Sequence, residues 1–259
     1  MQYANIKLTR EEGIATIRLN RPDAMNALGR ELCDDLSSAL TDVAGDDSIK
    51  AMVLRGEGRC FCAGADLKYF QDAFQSPEAL RDYLRDINDV IFQVENLPVP
   101  VIAVVHGFAL AGGLELMMAC DMALVANDAR IGDQHVNFGL MPGGGSTIRL
   151  PRLVGPQRAM ELLTTGRWLN GPEAVEWGLA LRSVPPEELD EEVEKLVAPL
   201  RGKSRPGLGW IKQVTHQGRD LSIRDGSSVE QMAFAQYVAT SGHPAEGVQA
   251  FVEKRTPQF

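Results

Sequence analysis

Cysteine is scarce in this chain, basic residues never cluster, and no apolar run is long. Each absence excludes something. Cys33, Cys60, Cys62 and Cys120 are scattered over 259 residues, too few and too dispersed for a disulfide framework. Cys60 and Cys62 have neither the spacing nor the second pair of a zinc site, so reduced thiols are expected and a metal is not. Lys and Arg number 26 against 35 Asp and Glu, a net charge of −9 with no basic block. That balance argues against a nucleic-acid surface and against a polybasic membrane patch. No apolar stretch approaches the roughly 18 residues of a membrane span. The opening MQYANIKLTREEG also lacks the apolar centre of a secretory leader. The expectation is a cytoplasmic protein with no membrane or nucleic-acid partner. Low-complexity tracts and repeats of 20–50 residues are missing too.

What is present is alternation. NIKLTREEGIATIRLN reads as two strands around a Glu-Glu-Gly turn, and RPDAMNALGRELCDDLSSALTDVAGD (21–46) as a loop and an amphipathic helix with Leu32, Leu36 and Leu40 at four-residue spacing. KAMVLRGEG is a buried strand. Residues 77–97 form a second helix, stopped by Pro98 and Pro100. VPVIAVVHG and CDMALVAND are continuous apolar runs, as in strands covered on both faces, and residues 151–166 read as a further helix. Strands and helices alternate through residue 185, which predicts an α/β fold with mostly parallel strands. Past VPPEELDEEVEKLVAPLRGKSRPG (184–207) the pattern becomes helical and stays so to Phe259. We therefore divide the chain into a core, residues 1–200, and a helical region, residues 201–259.

Three glycine-bearing junctions carry the chemistry: RGEGRCFCAGADLKYF (55–70), VVHGFALAGGLELMMACD (104–121) and GLMPGGGSTIRLPRLVG (139–155). None is a nucleotide loop. Gly56 and Gly58 lack the third glycine of the dinucleotide fingerprint, and PGGGST lacks the Lys of a phosphate loop. No G-x-S-x-G surrounds Ser146 either, so a serine nucleophile has no support. An electrostatic reading fits better. Small residues before a helix start leave backbone N–H groups free, and two such donors converging on one point make an oxyanion hole. Ala65 and Gly112 both permit that close approach; an ordinary strand–helix turn with no ligand explains the same spacing.

The same residues resemble a known family. CAGADLK (62–68) and HGFALAGGLELMMACD (106–121) are similar to the two oxyanion-hole segments of the crotonase (enoyl-CoA hydratase/isomerase) superfamily. LNRPDAMNAL (19–28), GLMPGGGSTIRLPRLVG, LLTTGRWLNGPEAVEWGLALRSVP (162–185) and EGVQAFVEKRTPQF (246–259) resemble it as well, so the likeness spans the chain. It implies a crotonase-like spiral of ββα turns and a C-terminal helical region that builds homotrimers, usually paired into hexamers. It implies an acyl-CoA thioester substrate and no prosthetic group, coenzyme A being part of the substrate. The N–H groups of Ala65 and Gly112 would hold the thioester oxygen. Ala24, Met25, Ala63, Ala65, Asp66, Leu67, Lys68 and Gly112 would line the coenzyme A site, with Lys68 or Arg59 offsetting the phosphates against the net negative charge.

Hydratases of the family place two glutamates around the substrate double bond. One matches Glu115 in GGLEL. The second falls twenty residues later, where this chain has His135 in an otherwise intact segment, IGDQHVNFGLMPGGG (131–145). Imidazole titrates near neutrality and serves as acid or base there, and an anionic Glu115 facing it would favour an ion pair. Three readings follow. The chain is an enoyl-CoA hydratase with Glu115 and His135 as the acid/base pair. Alternatively, His135 activates water for C–C bond hydrolysis of a cyclic β-diketone or β-keto thioester. A β-diketone hydrolase branch also places histidine here, but it carries an Asp and a further His where this chain has Gly144 and Gly113. In the third reading the chain binds acyl-CoA without turnover. Isomerase chemistry, needing one carboxylate, would leave position 135 free. Phe70, Phe74, Phe138 and Leu140 are read as acyl-pocket walls, His106 as structural, His216 and His243 as surface residues, and Tyr237 as a core or interface residue.

Overall fold

The computed structural model describes residues 3–259. Strands β1 (Ile6–Glu11) and β2 (Ile14–Leu19) form an antiparallel hairpin that pairs Glu11 with Ile14 and Ile6 with Leu19. Glu12 and Gly13 close it with φ of 48° and 80°, the positive angles that match a two-residue turn to strand twist. From β2 onward the sheet is parallel. β3 (Ala51–Gly56), β4 (Val101–Val105), β6 (Met122–Ala126) and β8 (Arg182–Val184) follow one another outward in the order β1-β2-β3-β4-β6-β8. A second, two-stranded parallel sheet joins β5 (Phe108–Leu110) to β7 (Arg130–Gly132).

The apolar runs went where their pattern required. Every residue of β4 is buried, because it lies inside the sheet and is covered on both faces. Helix α1 (Arg30–Ala44) buries Leu32, Leu36 and Leu40 as its spacing predicts, and packs on α3 (Pro77–Glu95). Between these elements lie two short helices, α2 (Leu67–Ala73) and α4 (Gly112–Met118), each at the end of a glycine-bearing junction.

Residues 151–166 depart from expectation. The single helix is in fact two, α5 (Ser146–Val154) and α6 (Pro156–Thr165). Gly155 sits between them at φ 82°, and Pro156 begins the second helix, where its missing N–H costs nothing. The remaining helices are α7 (Gly171–Glu176), α8 (Leu189–Arg201), α9 (Arg205–Gly218), α10 (Ile223–Thr240) and α11 (His243–Glu253).

α9 is tied to the core by a buried ammonium. Lys212 Nζ donates to the carbonyls of Val94 and Val99 and pairs with Asp121 Oδ2 at 2.8 Å. His216 Nε2 meets the other oxygen of Asp121 at 2.9 Å, so this histidine is part of the same lock and is not a surface residue. Burial pushes the Asp121 carboxyl upward, but the His216 hydrogen bond and the Lys212 charge outweigh it and hold the group below its ordinary range. His243 is likewise half-buried. Its Nδ1 lies 2.8 Å from Ser204 Oγ, which also meets the Tyr237 hydroxyl at 2.8 Å, and its ring stacks on Phe259. His106 holds the turn it precedes, with Nε2 3.0 Å from the Gly58 carbonyl.

Candidate active site

The segments read as the coenzyme A site are joined backbone to backbone. Ala63 N–H donates to Met25 O at 3.1 Å, Leu28 N–H to Gly64 O at 2.8 Å, and Asp66 N–H to Leu28 O at 3.0 Å. Residues 24–28 and 63–66 therefore run side by side. The bend that brings them together puts Met25 and Asn26 at φ 50° and 55°, an arrangement that only strong local bonding holds for residues with a Cβ. Buried Asn26 supplies it. Its side chain accepts from Arg21 N–H and donates to the Glu57 and Cys60 carbonyls. Asn26 was missed in the sequence because its role is entirely tertiary. Ala24 is half-buried, whereas Met25, Leu67 and Lys68 are exposed. The Asp66 carboxylate is committed elsewhere. It caps α2 through the N–H groups of Lys68 and Tyr69 and pairs with Arg21 at 2.8 Å. Lys68 and Arg59, the two cations read as phosphate partners, form no ion pair among the described residues.

The two N–H donors come together as well. In the bridge between Leu28 and Ala65, bonding runs through the neighbours of Ala65, which turns its own N–H to the opposite side. Gly112 opens α4, so its N–H has no acceptor within the helix. A Cβ placed on Gly112 would lie 3.6 Å from Ala65 N, and one on Gly64 would lie 3.3 Å from Gly112 N. The two donors are thus neighbours, and the approach depends on Gly64, whose φ of 107° and closeness to the Leu110 carbonyl leave no room for a Cβ. Ala111, just before, holds φ 50° and ψ −117°, a strained conformation for a residue with a Cβ, fixed by its N–H on the Gly132 carbonyl.

Glu115 lies one turn into α4 and is only 2% exposed. Its Oε1 accepts the N–H groups of Gly144 at 2.9 Å and Ser146 at 3.0 Å. The glycine run thus becomes a cradle for a carboxylate. A Cβ on Gly144 would overlap the Glu115 carboxylate and lie 3.0 Å from Ile91 Cδ1, so glycine is required there for close approach. Arg149, on α5, steadies the cradle from behind. Its Nη1 donates to Gly144 O at 3.0 Å, while its Nη2 and Nε pair with Glu95. Burial pushes the Glu115 carboxyl above the usual carboxylate range, and the Ser146 N–H and the charge of His135 pull it partway back.

His135 begins a short 3-10 turn, His135–Phe138, directly after β7. Its ring makes its hydrogen bond to a carboxylate and none to a backbone carbonyl. Nδ1 lies 2.9 Å from Oδ1 of Asp133, a fully buried carboxylate that also accepts the His135 backbone N–H at 3.2 Å. Burial acts to lower the imidazole pKa, but the hydrogen bond and charge of Asp133 and the charge of Glu115 outweigh it and leave it above its ordinary value. His135 and Glu115 thus lie within reach of each other's charge. Asp133 was not singled out in the sequence; its position two residues before the histidine was the available signal.

Of the residues read as pocket walls, Phe70 packs edge-on against Phe74, with ring centroids 4.7 Å apart, and also meets Tyr83 at 5.4 Å. Phe138 and Phe74 are largely exposed, at 73% and 61%. Gly113 has no room for a side chain, since a Cβ there would overlap the Cys62 carbonyl. Burial pushes the thiols of Cys33 and Cys62 up to about 12, which keeps them protonated and unreactive. No cluster of three His, Cys, Asp or Glu is placed to hold a metal among the described residues, and none of the described helices is long and apolar enough to cross a membrane.

With this geometry in place, the relatives are informative. A sequence profile described as enoyl-CoA hydratase/isomerase matches residues 9–259. A crotonyl-CoA hydratase of Syntrophomonas wolfei is 38% identical over 260 residues, spanning 100% of this chain and 99% of the relative. A probable enoyl-CoA hydratase of Bacillus subtilis is 35% identical over 255 residues, 98% of each chain. The crystal structure of an enoyl-CoA hydratase from Bacillus anthracis superposes with a TM-score of 0.92 at 35% identity, over 99% of both chains.

Proposed function

The chain belongs to the enoyl-CoA hydratase/isomerase family, and on that premise we propose that it adds water across the 2,3 double bond of an enoyl-CoA thioester. The observation that carries this reading is the buried Glu115 carboxylate, cradled by Gly144 and Ser146 within reach of His135. Two unengaged N–H groups, of Ala65 and Gly112, lie close to each other at the start of the same helix.

The thioester oxygen sits between those two N–H groups. They polarise the conjugated system and stabilise the enolate as negative charge moves onto the oxygen. Glu115 takes a proton from water, whose oxygen bonds to the β-carbon, and His135 delivers a proton to the α-carbon. Glu115 suits the base role because Oε1 is already held by two N–H groups, which fixes the carboxylate against rotation. The coenzyme A portion lies along Ala24, Met25 and Ala63 to Lys68, with Lys68 and Arg59 toward its phosphates. No prosthetic group takes part. Residues 201–259 are the oligomerisation region of a homotrimer or hexamer, and the protein is cytoplasmic.

C–C hydrolysis finds no support. Position 144 is filled by the Glu115 carboxylate and position 113 by the Cys62 carbonyl, so neither admits the Asp or His that the β-diketone hydrolase branch carries. The test is a turnover screen with crotonyl-CoA, longer and cyclic enoyl-CoAs, and cyclic β-diketones. Hydration of at least one enoyl-CoA, with the diketones untouched, is the expected result. Diketone cleavage would overturn the reading, and tight CoA-ester binding without turnover would replace it with a binding function.

A further inference from the structure

A histidine in place of a glutamate changes the charge of a site built for two carboxylates. Two glutamates sharing one proton carry a net charge of −1. Glu115 and His135 sharing one proton carry none, whether the proton rests on the imidazole or on the carboxyl. The residue that restores the balance is already beside the ring. Asp133 is 0% exposed, its Oδ1 lies 2.9 Å from His135 Nδ1, and its Oδ2 has no partner among the described residues. With Glu115 and Asp133 ionised and His135 protonated, the sum is again −1.

We propose that Asp133 is a positioning residue that makes the Asp133–His135 pair the equivalent of one protonated carboxylic acid. The inference rests on the reading of Glu115 and His135 as the reacting pair. A carboxylate oxygen only accepts, so the hydrogen on Nδ1 stays there in both charge states of the ring. Nε2 is then the atom that gains and loses the working proton. Because Oδ2 has no other donor, the imidazolium is the main compensation for the buried negative charge of Asp133. The charged groups acting on the ring are Asp133, at the end of β7, and Glu115, on α4, and both favour the protonated form.

The step then balances. Water's oxygen bonds to the β-carbon, its proton passes to Glu115, and the Nε2 proton passes to the α-carbon. The enzyme is left with a protonated Glu115 and a neutral His135, and one proton transfer between them restores the starting state. Asp133 keeps its charge throughout and touches neither water nor substrate.

The test is selective ¹⁵N labelling of the four histidines, with the His135 ring followed by NMR against pH in the free protein. Wild-type His135 should hold its proton on Nδ1 both below and above its titration midpoint. Asp133→Asn keeps the acceptor oxygen and removes the charge. It should lower that midpoint by about one pH unit or more, and the alkaline limb of kcat/KM for crotonyl-CoA should move with it. Asp133→Glu should recover part of the shift. A wild-type ring protonated on Nε2 and bare at Nδ1 overturns the proposal without any variant. So does an Asp133→Asn midpoint equal to wild type. Absence of turnover would instead count against the hydratase reading, and the NMR result would still stand on its own.

Discussion

At the scale of single residues, the site is a problem in proton bookkeeping. Glu115 is pushed up chiefly by burial, and His135 is raised because Asp133 and Glu115 outweigh the opposite pull of burial. Both shifts have the same sign for stability. The folded state holds each proton more tightly than the unfolded chain, so the contribution is full below the unfolded pKa and fades as pH rises through the folded one. For activity the signs oppose. In the proposed mechanism the working form has Glu115 ionised and His135 protonated. The pH profile of kcat/KM for crotonyl-CoA should therefore be bell-shaped. Its acid limb should lie above the 4.5 of an ordinary glutamate and its alkaline limb above the 6.5 of an ordinary histidine, the two apparent values belonging to the coupled pair. A profile lacking the acid limb would remove Glu115 as a titrating base, and one lacking the alkaline limb would remove His135 as a titrating acid.

At the scale of elements, the glycine run before α5 does the positioning. Gly144 presents its N–H to Glu115, and its carbonyl is gripped by Arg149, itself paired with Glu95 on α3. Gly144→Ala would drive a methyl group into the Glu115 carboxylate and toward Ile91. The expected outcome is a fall of about 100-fold in kcat with a smaller change in KM, since the segments proposed to hold coenzyme A lie elsewhere. Steady-state kinetics on the folded variant check it, and an unchanged kcat would contradict the cradle. This element also marks what the sequence could reveal. The spacing of Leu32, Leu36 and Leu40 and the apolar run of β4 were legible because periodicity reports directly on burial. The break at Gly155 was legible in principle, as a glycine followed by a proline. Arg149, Asn26 and His216 were not, because each acts on groups outside its own element that periodicity does not encode, whereas Asp133 left one signal, its place two residues before His135. Glu115 and His135 stood out only through their register with a known motif; nothing in local propensity distinguishes them.

At the scale of the whole molecule, the helical region 201–259 is the unfinished part. α10 spans eighteen residues and buries none of them, yet it carries Met232, Phe234 and Val238. Ile223 is 92% exposed at its start, and Phe251 on α11 is 85% exposed. Ile223, Phe234 and Val238 fall on one side of α10 at helical spacing and Met232 on the other, and we propose this exposed apolar surface as the assembly interface. The lock of Lys212, His216 and Asp121 holds α9 to the core, so these faces are presented from a fixed base. Sedimentation velocity should find a homotrimer or hexamer at micromolar concentration, and Phe234→Asp with Phe251→Asp should shift it toward smaller species. A wild-type protein that sediments as a monomer would remove the assembly role from residues 201–259.

The most direct measurement is kcat/KM for crotonyl-CoA hydration in the wild type, Glu115→Gln, His135→Ala and the double variant, each first shown to be folded. A base and an acid that act in one step fail together. Each single variant should lose at least about 100-fold, and the double variant should be little worse than the weaker single one. His135→Ala turning over at the wild-type rate would contradict the account at its centre, since the chain would then add water with one carboxylate and no second proton carrier.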